Sequence, residues 1–290
     1  MTSGMNATCL ACHFNKNLKT ALALGDEATA YQFAKDLMRL YLEAPEGVSS
    51  PWFSPGVTAL FQKYYQTGED RYAEEKEASN RFVMERFEKI CRRVEAQPDP
   101  VFAGLQVSIL GNYLDFSALG KEVSFEKLDT MLEHSLEMEL DRACYQRLCR
   151  ELETGKRLLY LTDNAGEIAF DRIFAQQIAK RFPHLQITFC VRGGPVLNDA
   201  TREDALAVGV PFPIIDSGNA IGGTELRCLG QEAREAFENA DVILAKGMGN
   251  NETLYGCGYN VYYAFLVKCK FFEQRFSKPL MTPMLVAERT

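Results

Sequence analysis

The spacing of apolar residues changes near residue 155, and this change constrains the fold more than any other feature of the sequence. Before it, apolar residues recur at helical spacing. After it, short apolar runs alternate with amphipathic segments, which is typical of a parallel sheet whose strands are joined by helices. The sequence therefore predicts an α/β fold: a doubly wound, mainly parallel, Rossmann-like sheet with an N-terminal all-helical subdomain. The predicted domains are residues 1–154 and 155–290.

Helical periodicity and turn residues predict the individual elements. In the first half, helices are predicted at residues 26–42, 54–67, 70–97 and 99–114, with one or two more over residues 125–153. In the second half, strands are predicted at residues 157–162, 185–192, 212–216 and 241–245, with helices at 167–182, 201–208 and 231–239. Residues 261–286 are expected to add further sheet.

Composition excludes several classes of protein. The net charge is -7 and no basic patch offsets it, which argues against nucleic acid as a partner and leaves small anionic substrates open. No apolar run reaches the roughly 18 residues of a membrane span, and the first residues do not resemble a signal peptide. Nine scattered cysteines favour a reduced, cytoplasmic protein over a disulfide scaffold. The oligomeric state is left open.

Polar segments, predicted to be loops, follow each predicted strand. They comprise residues 163–167, 198–199, 216–219 and 246–252. In an open parallel sheet, ligands bind outside the carboxyl ends of the strands. If the strands are neighbours, these segments converge on one crevice.

The residue types in these segments indicate metal and phosphate chemistry. Asp163, Asn164 and Asp199 offer the oxygen donors that Mg²⁺ and Mn²⁺ prefer. Lys246 adds a cation, and the glycines after it leave backbone N–H groups free for an oxyanion. Together these groups suit a phosphoryl group. Each also has a plainer explanation, since Asp and Asn favour turns and helix caps and a lysine at a strand end is often solvated.

Several familiar motifs are absent. There is no P-loop sequence and no strand followed by G-x-G-x-x-G, so a P-loop nucleoside triphosphatase and a dinucleotide site are disfavoured. The G-x-S-x-G elbow of α/β-hydrolases is missing too.

Four segments, in order along the chain, carry a resemblance to a known family. They are residues 111–116 (GNYLDF), 161–167 (LTDNAGE, followed by Phe170 and Asp171), 192–201 (RGGPVLNDAT) and 245–252 (AKGMGNNE). They resemble the motifs of the damage-control phosphatase family, the former domain-of-unknown-function 89 family. The Cys9-x-x-Cys12 pair is similar to that of its stand-alone prokaryotic type. One departure is Gly193-Gly194, where many relatives have a small polar residue.

The resemblance implies a helical subdomain packed on an α/β core with a buried divalent metal, Mg²⁺ or Mn²⁺, with Co²⁺ and Ni²⁺ as alternatives. The implied metal ligands are Asp163, Asn164 and Asp199, and the implied catalytic residues are Asp163, Asp199 and Lys246. Asn112 and Asp115 would reach the pocket from one helix face. The residues expected to bind the phosphorylated substrate are Asn112, Asp115, Glu167, Lys246, Gly247, Met248, Gly249 and Asn250.

The expected activity is metal-dependent hydrolysis of small phosphate esters, such as sugar phosphates or damaged phosphometabolites. Asp163 or Asp199 would take the proton of the attacking water, and a covalent aspartyl intermediate is left open. One alternative is an S-adenosylmethionine-dependent carboxyl methyltransferase, although Asp163-Asn164 occupies the place of the expected glycine-rich loop. Another is a non-catalytic metal- or metabolite-binding protein. Cys9, Cys12 and His13 suggest either part of a zinc site or unligated thiols.

Overall fold

A six-stranded, mostly parallel sheet forms the centre of the protein, whose computed structural model describes residues 4–115, 119 and 123–288. The strands are β1 (Arg157–Leu161), β2 (Gln186–Val191), β3 (Ile214–Asp216), β4 (Val242–Lys246), β5 (Val261–Leu266) and β6 (Pro283–Ala287). Their order is β3-β2-β1-β4-β5-β6, and only β6 pairs antiparallel. This is the strand order of Rossmann-type sheets, so the predicted α/β class is confirmed.

Helices precede the sheet and connect its strands. Before β1 lie α1 (Ala7–Leu24), α2 (Glu27–Leu42), α3 (Ser54–Tyr65), α4 (Ala73–Met84), α5 (Phe87–Glu95), α6 (Pro100–Gly111), α7 (Phe125–Glu133) and α8 (Arg142–Thr154). Between and after the strands lie α9 (Glu167–Arg181), α10 (Arg202–Ala207), α11 (Gln231–Glu238), α12 (Gly247–Leu254) and α13 (Lys270–Phe276). Short 3₁₀ turns occur at Ser50–Phe53, Ser135–Glu137 and Leu226–Cys228.

The two faces of the sheet belong to different hydrophobic clusters. Along β1, Leu158 and Tyr160 join one cluster, whereas Leu159 and Leu161 join the other. The first cluster is completed by helices α4 to α9, and the second by α11, α12 and α13. Since successive side chains of a strand point to opposite faces, apolar residues at every position of a strand require cover on both faces.

Helices α1, α2 and α3 form a third, smaller cluster around Phe33 and Phe61, whose rings lie 4.7 Å apart. Helices α4 to α8 instead share the cluster of one sheet face. The membership of these clusters does not follow the boundary between residues 154 and 155, and the predicted division into two domains stays a prediction.

The helix predicted over residues 70–97 is wrong as a single element. The structure has two helices, α4 and α5, separated by Glu85 and Arg86. At about 100° per residue, Phe82 and Phe87 would point some 140° apart on an unbroken helix. Both are buried in the same cluster, and the interruption allows this.

The segment after β4 was predicted as a loop, and this too is wrong. Residues 247–254 form helix α12, which begins directly after Lys246. Residues 261–286 contain the expected additional strands, β5 and β6, together with α13. In the described ranges, the helices lack the length and apolar character needed to span a membrane.

Candidate active site

Two chain segments meet at the carboxyl edge of β1. The amide of Ala200 donates to the carbonyl of Asp163 at 2.7 Å, and the amide of Ala165 donates to the carbonyl of Asn198 at 2.9 Å. Asn164 and Asp199 form an isolated antiparallel bridge. These backbone contacts bring the first two polar segments together, as the prediction of a common crevice requires.

Asp163 and Asp199 lie on either side of one arginine. The Nε of Arg192 donates to Oδ2 of Asp199 at 2.7 Å, and its Nη2 lies 3.8 Å from Oδ1 of Asp163. Nη1 donates to the carbonyl of Gly223 at 3.0 Å and to Oδ1 of Asn250 at 3.3 Å. All three charged side chains are buried. The site therefore contains a guanidinium between its two carboxylates.

The protonation behaviour of these carboxylates reflects their enclosure. Burial, followed by the neighbouring Asp199 and Glu167 carboxylates, raises the pKa of Asp163 well above its usual range. Burial raises the pKa of Asp199 to about 6, although the Arg192 guanidinium opposes this shift. A cluster of buried carboxylates with raised pKa values has too little positive charge nearby to hold every member ionised.

Lys246 forms ion pairs with two further buried acids, Glu167 and Asp171. Its ammonium donates to Oε1 of Glu167 at 2.6 Å, to Oδ1 of Asp171 at 2.9 Å and to the carbonyl of Ser108 at 2.9 Å. Burial raises the pKa of Asp171 to about 6, and Lys246 opposes that shift. Since an ammonium has three N–H donors, a phosphate contact from Lys246 requires that one of these acceptors be exchanged.

Glu167 orients two amide side chains. Its Oε2 accepts from Nδ2 of Asn164 at 2.7 Å and from Nδ2 of Asn112 at 3.0 Å. Both amides also donate to Oδ2 of Asp163, at 2.8 and 2.9 Å. The amide oxygen of Asn164 accepts from Nδ2 of Asn198 at 3.0 Å. Glu167 thus fixes which atom of each amide faces Asp163.

Asn112 and Asp115 were expected on one helix face, and this expectation is wrong. Helix α6 ends at Gly111, so Asn112 caps it and Asp115 lies in the following turn. Both side chains still lie at the site. Oδ1 of Asn112 accepts from the amide of Leu266, and Oδ2 of Asp115 accepts from Nζ of Lys268 at 2.7 Å. Phe116, the last residue of that sequence motif, lies outside the described residues.

The start of α12 packs tightly against the acidic pair. Gly247 has a φ of +76°, and a Cβ there would lie 2.1 Å from Oδ2 of Asp163. Met248 accepts, through its sulfur, from the amide of Lys268 at 3.4 Å. The amide of Asn250 donates to the carbonyls of Thr162 and Lys246. Its side chain is therefore bonded within the protein, as is that of Lys246.

The donors present fit a hard divalent cation. Within the described part of the chain, Oδ1 of Asp163 and Oδ1 of Asp199 accept no hydrogen bond. The oxygen of Asn164 has a second lone pair beside the one that Asn198 uses. Two ionisable carboxylates and an amide oxygen, with too little compensating charge, are the chemistry of a Mg²⁺ or Mn²⁺ site.

Thiolate or imidazole ligation has no such support. Among the residues that the structure describes, no group of three or more His, Cys, Asp or Glu side chains is arranged to hold a metal ion, and the proposed set of Asp163, Asn164 and Asp199 contains only two side chains of these types. Cys9 and Cys12 lie on α1 as free thiols, and burial raises the pKa of Cys9 to about 11. The ring of His13 contacts the hydroxyl of Tyr41 at 2.6 Å. A zinc site at Cys9 and Cys12 stays without support.

Arg192 and Lys268 were not assigned roles by the sequence analysis. Both follow strands, β2 and β5, and both side chains are buried beside the acids. Their position at strand ends was the available signal, although a basic residue there commonly reaches solvent. A cavity of about 580 Å³ lies against Arg192 and Gly193 and is lined also by Lys76 and Asp204, while Asp163 and Asp199 do not line it.

The chain matches a family model described as the damage-control phosphatase ARMT1-like domain over residues 5–280. An uncharacterised protein of Methanocaldococcus jannaschii is 32% identical over 257 residues, which cover 84% of this chain and 82% of that protein. The crystal structure of a DUF89 family protein from Pyrococcus horikoshii has a TM-score of 0.83 and 25% identity, with 100% of each chain covered.

Two of the similar proteins carry functional names. A damage-control phosphatase of Archaeoglobus fulgidus is 37% identical over 189 residues, which cover 64% of each chain. A damage-control phosphatase of Pyrococcus horikoshii is 31% identical over 179 residues, covering 60% of this chain and 61% of that protein. The matched region thus spans less than two thirds of either phosphatase.

Proposed function

Because this chain belongs to the damage-control phosphatase ARMT1-like family, we propose that it is a metal-dependent phosphatase acting on small phosphate esters. The observation that carries the proposal is the meeting of Asp163, Asn164 and Asp199 at the carboxyl edge of the sheet, beside buried cations. The names of the archaeal relatives support a phosphatase role.

Asp163, Asn164 and Asp199 would hold the divalent ion through side-chain oxygens. A bound Mg²⁺ or Mn²⁺, or Co²⁺ or Ni²⁺ in their place, supplies Lewis-acid stabilisation of a phosphoryl oxygen and acidifies a water. The support lies in the donor types and in the two carboxylate oxygens that accept no hydrogen bond within the described ranges. Asn164 would contribute its Oδ1, which accepts one hydrogen bond, from Asn198, and keeps a second lone pair for the ion.

Cationic and amide donors would bind the phosphoryl group. Lys268 is buried and donates to Asp115, which leaves an ammonium with further donors close to the acids. The first N–H groups of α12 have no partner inside the helix and carry its positive end. Lys246 supports the site through Glu167, and a direct phosphate contact from it stays a prediction.

Asp163 or Asp199 would accept the proton of the attacking water. Both have raised pKa values, which suits a base that must exchange protons near neutral pH. Asn112 and Asp115 would form the wall of the pocket that comes from the helical half. The substrate proposed is a small phosphorylated metabolite, a sugar phosphate or a damaged phosphometabolite.

One assay separates this proposal from its alternatives. Purified protein is stripped with EDTA and incubated with a panel of sugar phosphates and Mg²⁺, Mn²⁺, Co²⁺ or Ni²⁺, and free phosphate is measured. We expect release that requires a divalent ion. Release that is unchanged in EDTA would contradict the metal dependence. Methyl transfer from S-adenosylmethionine without phosphate release, or substrate binding without turnover, would replace the phosphatase proposal.

A further inference from the structure

Arg192 occupies an unusual position between two carboxylates. Its Nε bonds Asp199 at 2.7 Å, while Nη2 lies 3.8 Å from Asp163. Nη2 is fully enclosed and has no hydrogen-bond partner in the described part of the chain. A buried N–H group without a partner is rare, because it loses its hydration and gains nothing in return.

Beside the Lys268–Asp115 pair, the cluster contains two groups that each have one cation and two acids. Lys246 donates hydrogen bonds to both Glu167 and Asp171. Arg192 donates a hydrogen bond to Asp199 but lies 3.8 Å from Asp163, too far for one. In the Arg192 group, Oδ1 of Asp163 and Oδ1 of Asp199 accept no hydrogen bond within the described ranges, and neither atom is fully enclosed. The Lys246 group does not offer such an oxygen on each of its acids, because Oδ2 of Asp171 is fully enclosed.

We infer that Arg192 is a resident counter-cation, which lies between the buried Asp163 and Asp199 side chains before a divalent ion binds and then shares them with that ion. This rests on the proposed function, because it takes the two acids as metal ligands. A positive charge beside a metal site weakens metal binding by repulsion and stabilises the metal-free protein by attraction. The charge of Arg192 thus lowers the affinity for metal and stabilises the protein in the absence of metal. Arg192 is therefore a positioning residue.

The test measures metal binding in the absence of substrate. Wild-type protein, R192M and R192K are compared by thermal unfolding in EDTA and by calorimetric titration with Mn²⁺ alone. In R192M we expect the Tm in EDTA to fall by roughly 6 °C or more, since the two acids lose their cation. We expect Mn²⁺ to bind R192M about tenfold more tightly, because the repulsion is gone. R192K keeps the charge and should recover most of both properties.

Lys76→Met is the matched control. Lys76 is also buried and pairs with two acids, Asp204 at 2.9 Å and Asp70 at 3.1 Å, which are not among the proposed ligands. This variant should lose thermal stability while its Mn²⁺ affinity stays that of the wild type.

Equal or weaker Mn²⁺ binding by R192M would overturn the inference, because Arg192 would then only orient its neighbours. If R192M does not fold in EDTA, recovery of the folded state on adding Mn²⁺ supports the inference. If R192M folds under neither condition, the Tm of R192K in EDTA decides. A Tm well below that of the wild type contradicts a role for the charge of Arg192, and a Tm near that of the wild type supports it. Absence of Mn²⁺ binding in the wild type would instead overturn the metal dependence proposed above.

Discussion

The backbone of Gly247 lies against the Asp163 carboxylate and leaves no room for a side chain. The φ of Gly247, +76°, lies in the left-handed region that side chains avoid, and a Cβ would overlap the Asp163 carboxylate at 2.1 Å. The glycine is therefore required twice, once by the turn into α12 and once by the acid beside it. This close approach, more than free N–H groups, accounts for the first glycine of the K-G-M-G sequence.

Replacing Gly247 by alanine should disrupt the site beyond the cost of the backbone. Gly256 provides the control, since its φ is +82° and no atom lies within 4 Å of an added Cβ. We expect Gly256→Ala to cost about 1–2 kcal/mol of unfolding free energy. Gly247→Ala should cost more and should also weaken Mn²⁺ binding, as measured by chemical denaturation and calorimetry. Equal costs and unchanged Mn²⁺ binding in the two variants would contradict this account.

At the level of residues, the sequence pointed to the acids and to Lys246 but not to Arg192 or Lys268. Asp163, Asn164 and Asp199 could be singled out because polar residues directly after apolar strands lie at a known edge of the sheet. Arg192 and Lys268 occupy equivalent positions. Their burial depends on which acids the fold brings to them, and Asp115 and Lys268 are too far apart in sequence for any local pattern to reveal that pair.

Helix α1 contacts α2 through a half-buried histidine. His13 contacts Tyr41 of α2 at 2.6 Å and packs edge-on against the same ring. Burial, followed by repulsion from Lys16, lowers the pKa of His13 to about 4. The folded protein thus holds this ring neutral where the unfolded chain would protonate it. Such a group stabilises the fold above pH 6.5, and the stabilisation is lost as the pH falls toward 4.

His13→Gln should flatten the acid dependence of stability. The loss on going from pH 7 to pH 5 that His13 causes is about 2 kcal/mol. We expect the variant to lose that much less over the same interval, whatever its stability at pH 7, as measured by urea unfolding. His134→Gln, at an exposed position, should behave as the wild type does. An unchanged difference between pH 7 and pH 5 in His13→Gln would show that His13 is protonated in the folded protein.

At the level of elements, periodicity predicted most helices and strands but not how they are interrupted. The alternation after residue 155 identified the strands because they are buried on both faces and read as apolar runs. The sequence predicts a loop at residues 246–252, whose glycines favour turns, whereas residues 247–254 form a helix. Their helix is stabilised by tertiary contacts, such as those of Asn250, which local propensity does not contain.

At the level of the whole molecule, the candidate site lies between β1 and β4, where the order of the strands along the chain changes direction across the sheet. From β1 the chain first extends to β2 and β3, and then returns to β4 on the other side. Asp163 follows β1 and Lys246 ends β4, so the two halves of the sheet contribute opposite charges to the same crevice. The class of fold and this crevice followed from the sequence, whereas the depth of the ion network depends on the packing of α6 and α9 against the sheet.

The most direct test of the central claim is metal-dependent phosphate release by Asp163→Asn. The comparison variant is Asp216→Asn, which changes a carboxylate at the end of β3 that pairs with Arg202 on the surface. Both proteins, and the wild type, are assayed with the sugar phosphate that the wild type hydrolyses fastest, with Mn²⁺ and in EDTA. We expect Asp216→Asn to retain wild-type release and Asp163→Asn to lose the metal-dependent part while remaining folded by circular dichroism. Full metal-dependent release by a folded Asp163→Asn protein would contradict the assignment of this site.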